Sequence, residues 1–121
     1  MTSAALNDRR IDYIEFSVTS VPDAKWFYGQ AFGWSFEDYG PDYASFADGR
    51  LSGGFQTADK VITGGPLVVI YASDLESQER RVKQAGGTIV RSIFSFLGGR
   101  RFHFTDPSGN ELAVWSDQGE Q

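Results

Sequence analysis

The chain has 121 residues, 40% hydrophobic and 22% charged, which suits one globular domain and leaves no room for two of ordinary size. A net charge of −5 argues against a nucleic-acid partner, because phosphate binding needs clustered Lys and Arg, and a pair such as Arg100-Arg101 is too short to make that face. The absence of cysteine excludes disulfides and thiolate chemistry.

Residues 1–10 read as a loose polar arm with no signal-peptide pattern. No apolar stretch reaches the roughly 20 residues that span a bilayer, so a cytoplasmic location is expected. Over residues 11–18 apolar and polar side chains alternate, as in a half-buried strand: Ile14, Phe16 and Val18 on one face, Tyr13, Glu15 and Ser17 on the other. A helix follows. Ser20 caps it, Pro22 sits in the first turn where its missing N–H costs nothing, and Gly33 stops it. Short strands are predicted at 34–39, 43–47 and 51–56, with a hairpin signal at Asp48-Gly49.

The plan then repeats. Residues 67–72 form an apolar strand, Ser73 and Glu76 read as a capping box, and Leu75, Val82 and Ala85 give the stripe of a second helix ended by Gly86-Gly87. Strands are predicted at 88–94, 101–105 and 111–115, with a tight turn at Asp106-Pro107-Ser108-Gly109-Asn110. Ser20 and Ser73 stand 53 residues apart, as do Gly33 and Gly86, which points to an internal duplication. The expected fold is α+β. It is a single domain over residues 11–117, made of two tandem βαβββ units, 11–56 and 66–117.

Two segments carry a resemblance: Phe27-Tyr28 with Ala31-Phe32-Gly33-Trp34, and Phe104-Thr105-Asp106-Pro107-Ser108-Gly109-Asn110-Glu111-Leu112. At this separation, in these halves, they resemble the vicinal oxygen chelate superfamily, which includes glyoxalases, extradiol dioxygenases and bleomycin-resistance proteins. The resemblance implies a half-open barrel-like sheet around a cup, and a homodimer that completes its clefts across the subunit interface. In metal-dependent members it also implies four ligand positions. Here these fall on Tyr13, on the segment 51–56 where only Ser52 and Gln56 are polar, on Leu67 or Val68, and on Ala113. None is His or a carboxylate, the groups a divalent ion needs to offset its dehydration, so no metal and no other cofactor is expected.

Strand alternation puts Tyr13, Glu15, Arg101, His103, Glu111 and Trp115 on one concave face. His103, the single histidine, is either a general acid or base near neutrality or a hydrogen-bonded structural residue. Glu15 and Glu111 are candidates for an acid/base pair, for a non-standard metal site with His103, or for ion pairs with Arg. Arg101 is either a clamp for a ligand anion or a structural salt bridge. Trp115, Trp34, Phe55 and Tyr43 are ligand-stacking candidates or core. Gly53-Gly54 marks either a close backbone approach or a bulge in an edge strand. Three functions follow from this. The first is a metal-free protein binding a small molecule in its cleft. The second is a glyoxalase-type lyase or isomerase that moves protons with Glu15, His103 and Glu111. The third is a ligand-free structural or regulatory dimer. Binding is favoured, by the missing metal ligands and the aromatic content.

Overall fold

The computed structural model describes residues 8–119, so most of the expected arm at 1–10 lies outside the described residues. The first unit runs β1 (Tyr13–Val18), α1 (Val21–Phe32), β2 (Ser35–Asp38), β3 (Tyr43–Ala47) and β4 (Ser52–Thr57). The second runs β5 (Val68–Tyr71), α2 (Leu75–Gln84), β6 (Thr88–Phe96), β7 (Gly99–Thr105) and β8 (Glu111–Ser116). Each unit folds into one four-stranded sheet, in the orders β1-β4-β3-β2 and β5-β8-β7-β6. We call these sheets A and B. The first strand of each unit joins the last strand in parallel, and the remaining pairs are antiparallel. The pairing repeats from unit to unit, as the duplicated pattern requires, and neither sheet closes into a barrel.

The helices start and stop for local reasons. The Ser20 hydroxyl accepts from the Asp23 N–H, and Gly33 ends α1 at φ 73°, a left-handed conformation that glycine adopts without a steric penalty. The second cap differs from the expected capping box. Asp74 is the capping residue, its carboxylate accepting from the Ser77 N–H at 3.0 Å. Glu76 instead turns outward to pair with Arg100. An Asp one residue later than Ser73 reaches the same free amides and adds a negative charge at the helix N-terminus.

One core joins the two units. Phe27, Tyr28 and Ala31 of α1, Phe46 and Phe55 of sheet A, and Phe102, Phe104, Leu112 and Val114 of sheet B are all buried in it. Phe104 of sheet B packs against Phe27 and Phe32 of α1, at ring-centroid distances of 5.8 Å each. Both sheets therefore turn their helix-side faces to a common interior. A hydrogen bond from the buried Tyr28 hydroxyl to Asp106, 2.9 Å, ties α1 to the β7–β8 turn. That turn also holds β1: the Asn110 amide donates to the Ser17 carbonyl and the Thr19 N–H donates to Ser108. Among the described residues no helix is long and apolar enough to cross a membrane.

Candidate functional site

Alternation along the strands leaves each sheet with one face turned away from the helices, and the polar candidates lie there. On sheet A the paired positions are Tyr13 with Ser52, Glu15 with Gly54, and Tyr43 with Gln56. The Tyr43 hydroxyl donates to Glu15 at 2.9 Å and shares a 2.5 Å hydrogen bond with the Tyr13 hydroxyl. Burial and these two hydrogen bonds raise the Tyr43 pKa. Gly54 makes the cluster possible, because a Cβ there would overlap both hydroxyls. Gly53 lies as close to the Ile14 carbonyl and the Phe46 ring. The Gly53-Gly54 pair is thus a close approach within a central strand. No register shift marks a bulge there, and β4 lies between β1 and β3 rather than at an edge.

On sheet B the same geometry sets Arg101 opposite Trp115, His103 opposite Ala113 and Thr105 opposite Glu111. His103 is only 8% exposed. Its Nδ1 lies 3.0 Å from the Glu111 carboxylate, and its Nε2 is buried with no hydrogen-bond partner. Arg101 forms no ion pair among the described residues. Its guanidinium stands 5.4 Å from the Phe94 ring centroid and 5.6 Å from that of Phe96, and its Nε is also buried without a partner. Trp115 meets Tyr71 edge-on at 5.3 Å and Phe96 at 6.4 Å.

The six residues expected on one concave face therefore form two clusters, one on each sheet. Glu15 bonds to Tyr43 rather than to Arg101 or His103, because the nearest polar group on its own sheet is a phenol. Glu15 and Glu111 do border a common hollow of about 820 Å³, with Ser17, Thr105 and the linker at 61–68. A second hollow, about 810 Å³, opens between β1 and β5 and is lined by Trp34, Trp115, Phe16, Phe46 and Ile70. Trp34 stacks on Tyr28 and Phe46 at 4.7 and 4.5 Å, so only part of it is left to that hollow. Phe55 is fully buried in the core between Tyr28 and Phe46, out of reach of any ligand.

Sequence reasoning passed over three residues of sheet B's face. Register shifts between Ile89 and Arg91, and again between Arg91 and Phe94, bring Arg91 and Phe94 opposite His103 and Arg101. Strict alternation would have shown Val90 there. Phe96 was missed because β6 was expected to end at residue 94. The alternation of Phe94 with Phe96 was the available signal that it continues.

A family model described as the glyoxalase/bleomycin resistance protein/dioxygenase superfamily matches residues 10–114, and the chain belongs to that family. Solved structures agree on the fold at low sequence identity. A glyoxalase/bleomycin resistance protein/dioxygenase family enzyme from Burkholderia phytofirmans PsJN superposes with TM-score 0.79 at 14% identity, covering 89% of this chain and all of that one. The fosfomycin resistance protein FosX from Listeria monocytogenes gives 0.77 at 13% identity, covering 88% of this chain and 91% of that one. A lactoylglutathione lyase from Agrobacterium tumefaciens gives 0.71 at 17%, covering 89% and 93%. No curated protein matches the chain significantly.

The donor set does not fit the metal that the superfamily implies. Tyr13 and Ser52 lie side by side on sheet A, with Gly54 and Gln56 further along β4. On sheet B the residue beside Ala113 is Val69, not the expected Leu67 or Val68, because β5 begins at Val68 and turns Val68 and Ile70 to the core. Val69 and Ala113 have no donor atom on their side chains. Among the described residues, no three side chains of His, Cys, Asp or Glu come together as a metal-holding group.

Proposed function

We propose that the chain is a small-molecule-binding member of the glyoxalase/bleomycin-resistance superfamily that works without a metal, and that its recognition surface is the helix-free face of sheet B. One observation carries this reading. Nε2 of His103 and Nε of Arg101 lie on that face, both buried and both without a hydrogen-bond partner. A buried polar atom left unpaired costs about 1–3 kcal/mol, so two on one face favour a ligand that satisfies them. The side chains of Tyr71, Phe94, Phe96 and Trp115 give the face flat apolar contact area, the usual wall of a small-molecule pocket.

The protein acts as a cytoplasmic homodimer in this proposal. Val69 and the fully exposed Leu97 give the sheet B side an apolar surface for a second copy to cover. The decisive experiment is elemental analysis of protein purified without chelator, with melting curves in Ni, Zn, Mn and Fe salts. The expected result is no stoichiometric metal and no rise in melting temperature. One ion per chain with a stabilised fold would overturn the metal-free reading.

A second reading has its own support. The 3.0 Å contact between His103 and Glu111 is the arrangement in which a carboxylate orients an imidazole for proton transfer. A lyase or isomerase of this kind would use His103 as the base, with Glu111 positioning it and Glu15 at the shared hollow. It predicts exchange of a carbon-bound ligand proton for deuterium, abolished in His103→Gln. A pure binding protein exchanges nothing.

A further inference from the structure

We infer that the sheet B face selects a planar aromatic acid carrying a hydroxyl group, with the carboxylate on Arg101 and the hydroxyl on Nε2 of His103. This rests on the reading of that face as the ligand site, and it names the chemistry of what binds there.

The charges give the first part. The chain is acidic overall, yet Arg91 and Arg101 both lie on this face and neither forms an ion pair among the described residues. Glu111, the acid closest to them on the sheet, is engaged by His103. The Arg91 guanidinium sits 3.6 Å above the Phe94 ring centroid, occupied by that aromatic face. Arg101 is more distant from its rings and keeps its planar fork for a ligand. A guanidinium with no internal acid pairs best with a carboxylate, which accepts two parallel hydrogen bonds.

The imidazole gives the second part. A neutral ring that donates Nδ1–H to Glu111 presents Nε2 as a lone-pair acceptor. An acceptor buried beside aromatic rings calls for a donor, and a ligand hydroxyl supplies one. Arg101 and His103 are two positions apart on one face of β7, about 7 Å along the strand. That spacing is comparable to the span of a benzene ring substituted at opposite ends. Phe94 lies opposite Arg101 with its ring 5.9 Å from that of His103, and Trp115 lies opposite Arg101 on the other side, so the two polar groups are flanked by flat apolar walls. A phosphate would suit the guanidinium but would leave those walls without contact.

The test uses the full chain and 4-hydroxybenzoate as probe, with benzoate, phenol and cyclohexanecarboxylate as comparisons, read by calorimetry and by amide chemical-shift mapping. The expected result is that 4-hydroxybenzoate binds tightest of the four and shifts amides of β7 and β8 around Arg101, His103 and Trp115. Arg101→Gln should weaken it by about tenfold or more, the effect of losing a charge-assisted pair, and Arg101→Lys by less. His103→Phe should weaken 4-hydroxybenzoate and leave benzoate unchanged. Melting curves check that each variant folds, and the comparison with phenol remains the test if Arg101→Gln does not. If phenol shifts the same amides as strongly as the acids, or a folded Arg101→Gln binds as wild type does, the acid class is wrong while the site survives. If none of the four compounds shifts this face at millimolar concentration, the site reading falls as well.

Discussion

Tyr28 joins the aromatic core to the β7–β8 turn. Its ring stacks on Trp34 and Phe55 and meets Phe27 edge-on, and its hydroxyl donates to Asp106, whose carboxylate also accepts the Ser108 and Asn110 N–H groups. Burial, followed by the nearby Asp106 charge, pushes its phenol well above the ordinary value. The folded pKa is raised, so the stability linked to this neutral phenol is complete below the unfolded value of about 10 and is lost as pH rises through the folded one. An alkaline titration at 295 nm should therefore show fewer than the five tyrosines ionising in the native protein near pH about 10.5, and all of them in urea. Tyr28→Phe should remove one of the retarded phenols. It should also cost about 1.5–3 kcal/mol in urea denaturation, since a buried carboxylate loses a donor. If all five phenols titrate normally in the native state, the buried bridge is wrong. The sequence marked Tyr28 and Asp106 as parts of two motifs, but it could not show that they touch, because a bond across 78 residues leaves no local pattern. The same limit applies to the site. Alternation placed Arg101, His103 and Glu111 on one face of one sheet, since β7 and β8 pair without a register break. It grouped Glu15 with them only by assuming that two sheets make one wall.

At the scale of elements, the strands and helices follow from local chemistry, with departures only where two signals compete. Ser73 and Asp74 both suit a helix start, and the spacing to Glu76 favoured Ser73. The structure selects Asp74, whose extended backbone (φ −122°, ψ 94°) and position three residues before Ser77 bring its carboxylate to the Ser77 amide. Asp74→Ala should therefore destabilise the fold by about 1 kcal/mol, within the 0.5–2 range of lost caps, while Ser73→Ala should be nearly neutral. Urea denaturation of the two variants side by side decides it, and the opposite order would restore the capping box. The hairpin between β6 and β7 shows another competition. Gly98 takes φ 112°, the positive value a tight turn requires, and this lets the strands run on to Phe96 and start again at Gly99. That extension adds Phe96 to the wall beside Trp115. The bulges in β6 were beyond reach of a period-two pattern, because a shift of one residue is what that pattern cannot register.

At the scale of the whole molecule, the duplicated halves raise the question of whether each is its own folding unit. The packing says they are not. Each helix packs on its own sheet, but the two helices also pack on each other, and Phe104 of the second unit rests on Phe27 and Phe32 of the first. The two units are also joined by hydrogen bonds at Tyr28–Asp106, Gln78–Ala31 and Asn110–Ser17. A chain of this size buries only about two-thirds of its unfolded surface, and half of it would bury less than a stable domain needs. Unfolding should therefore be a single cooperative step. Trp34 in the first unit and Trp115 in the second report on the two halves separately. In variants that keep one tryptophan and replace the others by Phe, the urea midpoints by fluorescence should coincide with each other and with the far-ultraviolet transition of the same variant. Two separated midpoints within one variant would mean that the units unfold independently. In that case the shared core would be a contact between two domains, and the sheet faces could move relative to one another when a ligand binds.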